Sequence, residues 1–198
     1  MESKTLKVVF VGDSHVGKTS IIHKMAVSDN FDIDTIKNTI GSATYQIIRE
    51  YENKNHIIEI WDTAGQEIYQ SMVPSYSKNS VLALIVFDLT KDITFANVES
   101  WANMLKNASG LNRFIIVGNK CDLENKTVKI EDVQELCQSL SCEFIFVSAK
   151  NGQGIDILTN MISHLAFQSL INNETEVISS KTLNLKDTQQ TQNKCCWF

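Results

Sequence analysis

Basic residues are in short supply. Eighteen Lys and Arg against 23 Asp and Glu leave a formal charge of -5 and a sequence pI near 5.4, which argues against an electrostatic grip on nucleic acid. Long apolar runs are missing too. The longest, Val81 to Phe87, falls well short of the roughly 20 residues that cross a bilayer as a helix, so no transmembrane segment is expected. No cationic stretch leads into an apolar one near Met1, so no secretory signal is expected. Proline occurs once, at Pro74. The five cysteines (Cys121, Cys137, Cys142, Cys195 and Cys196) show no metal-ligand spacing, and their odd number argues against a disulfide framework. Cys137 and Cys142 read as small packing residues rather than a redox pair. What remains, 43% hydrophobic and 21% charged over 198 residues, suits one globular domain with extras and a substantial core.

Against that background one stretch stands out. GDSHVGKT, Gly12 to Thr19, follows the apolar run Leu6 to Val11 and matches the phosphate-loop pattern. Gly12 and Gly17 let the backbone turn its N–H groups inward as a nest for phosphate oxygens. The helix beginning near Gly17 adds the positive end of its dipole. Asp13, Ser14, His15, Val16, Gly17, Lys18, Thr19 and Ser20 are therefore the candidate phosphate-binding residues. Lys18 neutralises the β- and γ-phosphates, and the Thr19 hydroxyl suits Mg²⁺. KVVFV reads as a buried strand, and Ile21, Ile22 and Met25 recur at helical spacing after the loop. Nucleoside triphosphate binding follows.

Along the chain, the first helix is expected to end near Val27. Strands at about Ala43–Tyr51 and His56–Trp61 flank the turn ENKN and form the one antiparallel pair. A loop and short helix run on to about Ser80. VLALIVFDL is a fully buried strand. A helix capped by Asp92 should bury Phe95, Val98, Trp101, Met104 and Leu105 as core rather than as a ligand box. The strand FIIVGNKCD, a helix over Ile130–Leu140, a strand over Phe144–Val147 and a helix over about Ile155–Ser169 complete the domain. The expected fold is α/β: a P-loop NTPase domain with a six-stranded, mostly parallel sheet, one antiparallel strand, and helices on both faces. Every motif lies just after a strand, at the carboxyl edge where such sheets bind ligands. The domain should span residues 1–171. From Asn172 to Lys194 the composition turns to Asn, Gln, Thr and Ser, which reads as a disordered tether within a flexible tail over 172–198.

Two further motifs choose the base. Asp122 of NKCD can accept both the ring N1–H and the 2-amino group of guanine, which adenine lacks, so ATP would leave a carboxylate unpaired. Asn119 can tie neighbouring loops together. The stem of Lys120 and the region of Lys150 can cover the base faces, and the Ala149 N–H in Ser148-Ala149-Lys150 can serve guanine O6.

GDSHVGKT, TIG at Thr39 to Gly41, WDTAGQE at Trp61 to Glu67, NKCD and SAK stand in the order found in the small GTPases of the Ras superfamily, which the chain resembles from about Lys4 to Gln168. Within that group it looks most like a Rab protein: GDS in the phosphate loop, TIG, IWDTAGQE and the terminal CC pair point that way. The resemblance implies GTP hydrolysis to GDP, slow alone and stimulated by an activating partner. Mg²⁺ would be held by Thr19, Thr39 and Asp62, and the γ-phosphate sensed by the backbones of Thr39 and Gly65. Gln66 would orient the attacking water, with Lys18, Thr39 and Gly65 completing the catalytic set. Phe31 is the candidate aromatic edge over guanine. Loss of the γ-phosphate contacts would release both switch loops. The implied partners are an exchange factor, a GTPase-activating protein, a GDP-dissociation inhibitor or escort, and effectors. A monomer on the cytoplasmic face of an intracellular membrane, cycling with cytosol, is expected. The competing readings are a non-hydrolysing GTP-bound scaffold, which Gln66, Thr39 and Lys18 together disfavour, and a P-loop kinase or ATPase, which conflicts with Asp122. A non-Rab signalling GTPase of the same superfamily is the third.

The chain also departs from the pattern. His15 stands where relatives carry a small residue, either as a silent surface group or with a role in nucleotide exchange. Thr44 replaces an aromatic that would pack with Trp61 and Tyr76, and EIYQSM replaces a basic-aromatic run. The tail ends in CCWF. It can be read as a prenylation box on Cys195, or as a double-cysteine tail with both Cys195 and Cys196 modified. The second reading supplies the two membrane signals that stable anchoring needs, since no polybasic run is present.

Overall fold

The computed structural model describes residues 3–28, 42–63 and 73–171. The chain divides into two compact units, 1–166 and 167–198. In the first, the strands are β1 (Thr5–Val11), β2 (Ser42–Tyr51), β3 (Lys54–Thr63), β4 (Ser80–Asp88), β5 (Phe114–Asn119) and β6 (Glu143–Phe146). The helices are α1 (Lys18–Ser28), α2 (Val73–Ser77), α3 (Asp92–Ala96), α4 (Val98–Ser109) and α5 (Ile130–Leu140). A further helical stretch begins at 155 and closes this unit; of the second unit only 167–171 are described, and they are helical.

The six strands form one sheet in the order β2-β3-β1-β4-β5-β6. Only the β2–β3 pairing is antiparallel; the other four are parallel. The apolar runs explain this arrangement. β1, β4 and β5 bury almost every residue, so both faces must be covered. Alternate strand residues point to opposite faces. On one side Val9, Val11, Ala83, Ile85 and Phe87 join Val98, Trp101, Ala102 and Leu105 of α4 and Val133, Cys137 and Leu140 of α5 in one core. Val8, Phe10 and Leu84, pointing the other way, are equally inaccessible, as are Ile21, Ile22 and Met25 of α1.

The hairpin is tighter than the four-residue turn expected. β3 starts at Lys54, paired with Tyr51, which leaves Glu52 and Asn53 as a two-residue loop with φ 51° and 58°. Positive φ at both positions is the backbone that matches strand twist. The expected helix after β4 is also two helices. Asp92 does not cap it: the N-cap is Lys91, and Asp92 is the first helical residue, its charge in the favourable first turn. The break falls at Asn97, which has a separate use described below.

The parallel register aligns strand ends. Phe10 lies opposite Asp62, Asp88 opposite Asn119, and Gly118 opposite Phe146. The carboxyl ends of β1, β3, β4, β5 and β6 therefore lie along one edge. Near it the sheet is crowded: a Cβ on Gly118 would lie 2.7 Å from Phe146 Cδ1 and 3.0 Å from Phe87 Cζ. Gly118→Ala is expected to destabilise the fold by about 1–3 kcal/mol, the usual cost of overpacking. Urea unfolding checks this; a midpoint equal to that of the parent would show that the two rings yield freely.

Candidate functional site

The loop Gly12–Gly17 leaves β1 and enters α1 with a tightly constrained backbone. Gly12 has φ 136° and Gly17 φ 99°, and a Cβ at Gly12 would sit 2.1 Å from the Val86 carbonyl oxygen. No other residue fits there. Lys18 folds back over the loop, its Nζ donating to the carbonyls of Gly12 at 2.7 Å and Asp13 at 2.8 Å. Burial pushes its pKa down to about 8, against the pull of Asp62 and Asp13 in the other direction. An ammonium so poorly hydrated gains strongly from an anion.

Asp62, at the end of β3, is fully buried. Its Oδ2 accepts the Thr19 hydroxyl at 2.6 Å, while its Oδ1, also buried, accepts no hydrogen bond among the described residues. Burial raises its pKa, opposed by Thr19, Lys18 and His23. A hydroxyl and a carboxylate oxygen side by side, one of them unsatisfied, form a hard-oxygen donor set that fits Mg²⁺.

The base side is assembled from β5 and β6. Asn119, 2% exposed, donates from Nδ2 to the Val16 carbonyl at 2.8 Å and accepts the Ala149 N–H on Oδ1 at 3.1 Å. The Ser148 hydroxyl donates to Asp122 Oδ1 at 2.7 Å and accepts the Asn151 N–H at 3.2 Å. The bond from Ser148 holds Asp122 below the usual carboxylate range, with Lys150 and Lys126 adding to it. A cavity of about 550 Å³ lies here, lined by His15, Gly17, Ser20, Asn119, Lys120, Asp122, Leu123, Ala149 and Lys150. Beside it a second space of about 460 Å³ is bounded by Thr19, Ser20, His23, Lys24 and Ala149. Ser20 and Ala149 border both. His15, exposed at the rim, has φ 63°, a conformation that a side chain adopts at some cost.

Thus Asp13 to Ser20, Asp62, Asn119, Lys120, Asp122 and Ser148 to Lys150 come together along one edge. Thr39, Gly65, Gln66, Phe31, Cys195 and Cys196 lie outside the described residues. Of the departures, Thr44 pairs across the strands with Trp61. The Trp61 ring meets Tyr76 at 6.2 Å and carries Lys7 Nζ 3.7 Å from its centroid.

Asn97, Trp101 and Asp88 are site residues that no motif indicates. Asp13 offers its carbonyl to Lys18, but its carboxylate turns away: Oδ2 accepts from Asn97 Nδ2 at 2.7 Å and Oδ1 from Trp101 Nε1 at 2.8 Å. Trp101 is core, as its spacing says, and it is also an anchor for the phosphate loop. Asp88, at the end of β4, pairs with Lys120 Nζ at 2.5 Å and accepts the Thr90 N–H and hydroxyl. Burial would raise its pKa, but Lys120 and Thr90 outweigh that and hold it low. Lys120 is thus pinned along the cavity wall. A lone polar residue ending an apolar strand, or a Trp in a helical stripe, carries no signal of such a partner in sequence.

A P-loop fold with an acidic residue on the β3 end and guanine-type loops after β5 and β6 defines a small GTPase, and the chain belongs to the Ras family, whose model matches residues 7–168. Within it the chain is Rab-like. It is 38% identical to Ras-related protein Rab-22A of Homo sapiens over 82% of this chain and 84% of that one. It is 36% identical to Ras-related protein Rab-31 of Homo sapiens over 99% and 100%. It is 34% identical to Ras-related protein YPTC6 of Chlamydomonas reinhardtii over 92% and 81%.

The Asp13 anchor generates a prediction. Asn97→Ala removes one of two hydrogen bonds to a charged group, each worth about 1.5–3 kcal/mol. Release of a fluorescent guanine nucleotide should quicken roughly tenfold, a 1.4 kcal/mol change. An unchanged release rate would mean that the nucleotide does not feel the anchor.

Proposed function

We propose that this chain is a GTP-hydrolysing switch that recruits effectors to an intracellular membrane in vesicle transport. The observation that carries the reading is the double engagement of Asn119, which holds the phosphate loop and the Ser148–Lys150 loop around one cavity. In this reading Asp122 receives the guanine N1–H and 2-amino group, the Ala149 N–H serves O6, and Lys120 and Lys150 flank the ring, with Phe31 at its edge. The N–H groups from Asp13 to Ser20 and the Lys18 ammonium receive the phosphates. Thr19, Thr39 and Asp62 would hold Mg²⁺, which neutralises phosphate charge when bound. Gln66 orients water for in-line attack, and the Gly65 and Thr39 backbones hold the γ-phosphate, so its departure frees the two loops. No arginine is assigned to the transferring phosphoryl, which is why an activating partner is expected to stimulate a slow reaction. Exchange factor, escort and effectors would meet the switch loops. Residues 172–194 would act as a tether of about twenty residues, anchored by lipid on Cys195 and Cys196. The Rab relatives support the trafficking role.

Base choice is checked with Asp122→Asn. The amide can no longer accept two guanine donors but can donate to the 2-oxo group of xanthine, so preference should move from GTP toward xanthosine triphosphate. Retention of full GTP affinity would remove Asp122 from the base-reading role.

Hydrolysis is checked by single-turnover assay of Gln66→Leu, alone and with cell extract. The variant should bind GTP as the parent does and remain loaded. A parent that never hydrolyses GTP, even with extract, would point to the scaffold reading; equal rates for parent and variant would take Gln66 out of the reaction.

A further inference from the structure

The sequence reading treats Cys137 and Cys142 as independent packing residues, yet the fold brings them together. α5 ends in a left-handed residue, Ser141 at φ 53°. The Ser141 N–H bonds the Gln138 carbonyl at 3.2 Å, and the Cys142 N–H reaches back to the Cys137 carbonyl at 3.0 Å. This pair of bonds is the Schellman closure, in which the side chains at its first and last positions make contact, usually an apolar one. Here both are thiols. Cys137 is 4% exposed and belongs to the core; Cys142 packs against the same core and is half-buried. The backbone on both sides is already held, by the helix before and by β6 after.

We propose that Cys137 and Cys142 are a redox-responsive dithiol that a hydroperoxide converts to an intramolecular disulfide. Cys142, the less buried residue of the two, meets the oxidant first. Its sulfur attacks one peroxide oxygen as the thiol gives up its proton, the O–O bond breaks, and the departing hydroxide takes that proton as water, leaving a sulfenic acid. Cys137 then attacks that sulfur; the S–S bond forms, the S–O bond breaks, and the second hydroxide leaves with the Cys137 proton as water. Two thiols and one peroxide give one disulfide and two waters, the thiol sulfurs supplying the electron pair that reduces the peroxide. Cys137 suits the second step because the helix-end closure sets it against residue 142, so its sulfur has the sulfenic acid as a neighbour. Cys121 offers an internal reference. It has no such partner among the described cysteines, and burial followed by the charge of Asp122 raises its pKa.

The test uses the full chain, reduced and then freed of reductant. It is treated with increasing hydrogen peroxide, denatured, blocked with N-ethylmaleimide and digested with trypsin. Cleavage after Lys129 and Lys150 places both cysteines on one peptide, 130–150, and Cys121 on another. Peptide 130–150 should lose two hydrogens and both maleimides before the Cys121 peptide gains oxygen, and dithiothreitol should restore both alkylation sites. In Cys142→Ser, Cys137 should no longer be protected from alkylation by peroxide treatment. The proposal is overturned if 130–150 still takes two maleimides at peroxide levels that oxidise Cys121. It is equally overturned if that peptide gains oxygen instead of losing hydrogen, or links to a second chain.

Discussion

One buried amide holds the site together. Asn119 spends its donor on the phosphate loop at Val16 and its acceptor on the base loop at Ala149, two segments that sequence separates by 103 and 30 positions from it. Nearly inaccessible, it would leave strong hydrogen-bonding groups unpaired if either loop moved away. The spacing between a phosphate cradle and a base pocket is thereby tied to the length of one side chain. The Cβ of any residue other than glycine at Gly17 would lie 2.2 Å from the Asn119 amide nitrogen. The second glycine of the loop therefore serves Asn119 as much as it serves phosphate.

Around this amide the fold gathers charge that it would otherwise exclude. Lys18, Asp62 and Asp88 are all almost completely buried. Each would be costly alone. Asp88 is neutralised by Lys120, whereas Lys18 and Asp62 only partly compensate one another, as the depressed Lys18 and the raised Asp62 record. That residual imbalance is where phosphate and a divalent cation would be welcome, since each supplies the sign that its neighbour lacks. Asp13 shows the complementary solution. Its charge is taken away from the cradle by Asn97 and Trp101, so the loop keeps an anionic side chain without repelling an anionic ligand.

The break between α3 and α4 serves the same end. A continuous helix would have spent Asn97 on its own surface; at the junction the side chain reaches Asp13 instead. Trp101, one turn on, contributes apolar area to the core and its single N–H to the site. Support for the phosphate loop thus comes from the same face of α4 that covers the sheet.

The sequence by itself determined the strand order, the parallel sheet with one antiparallel edge, and those motif residues that the described structure places at its carboxyl end. It could do so because those features rest on local chemistry: apolar runs, helical spacing, glycines before a Lys, polar residues following buried strands. The residues that act through partners distant in the chain were decided only by tertiary structure. Asp88 on Lys120 and Asp13 between Asn97 and Trp101 leave no pattern in composition or period. Their meaning lies in which side chain the fold sets opposite, and a hydrogen bond has no signature in sequence until both of its ends are in place.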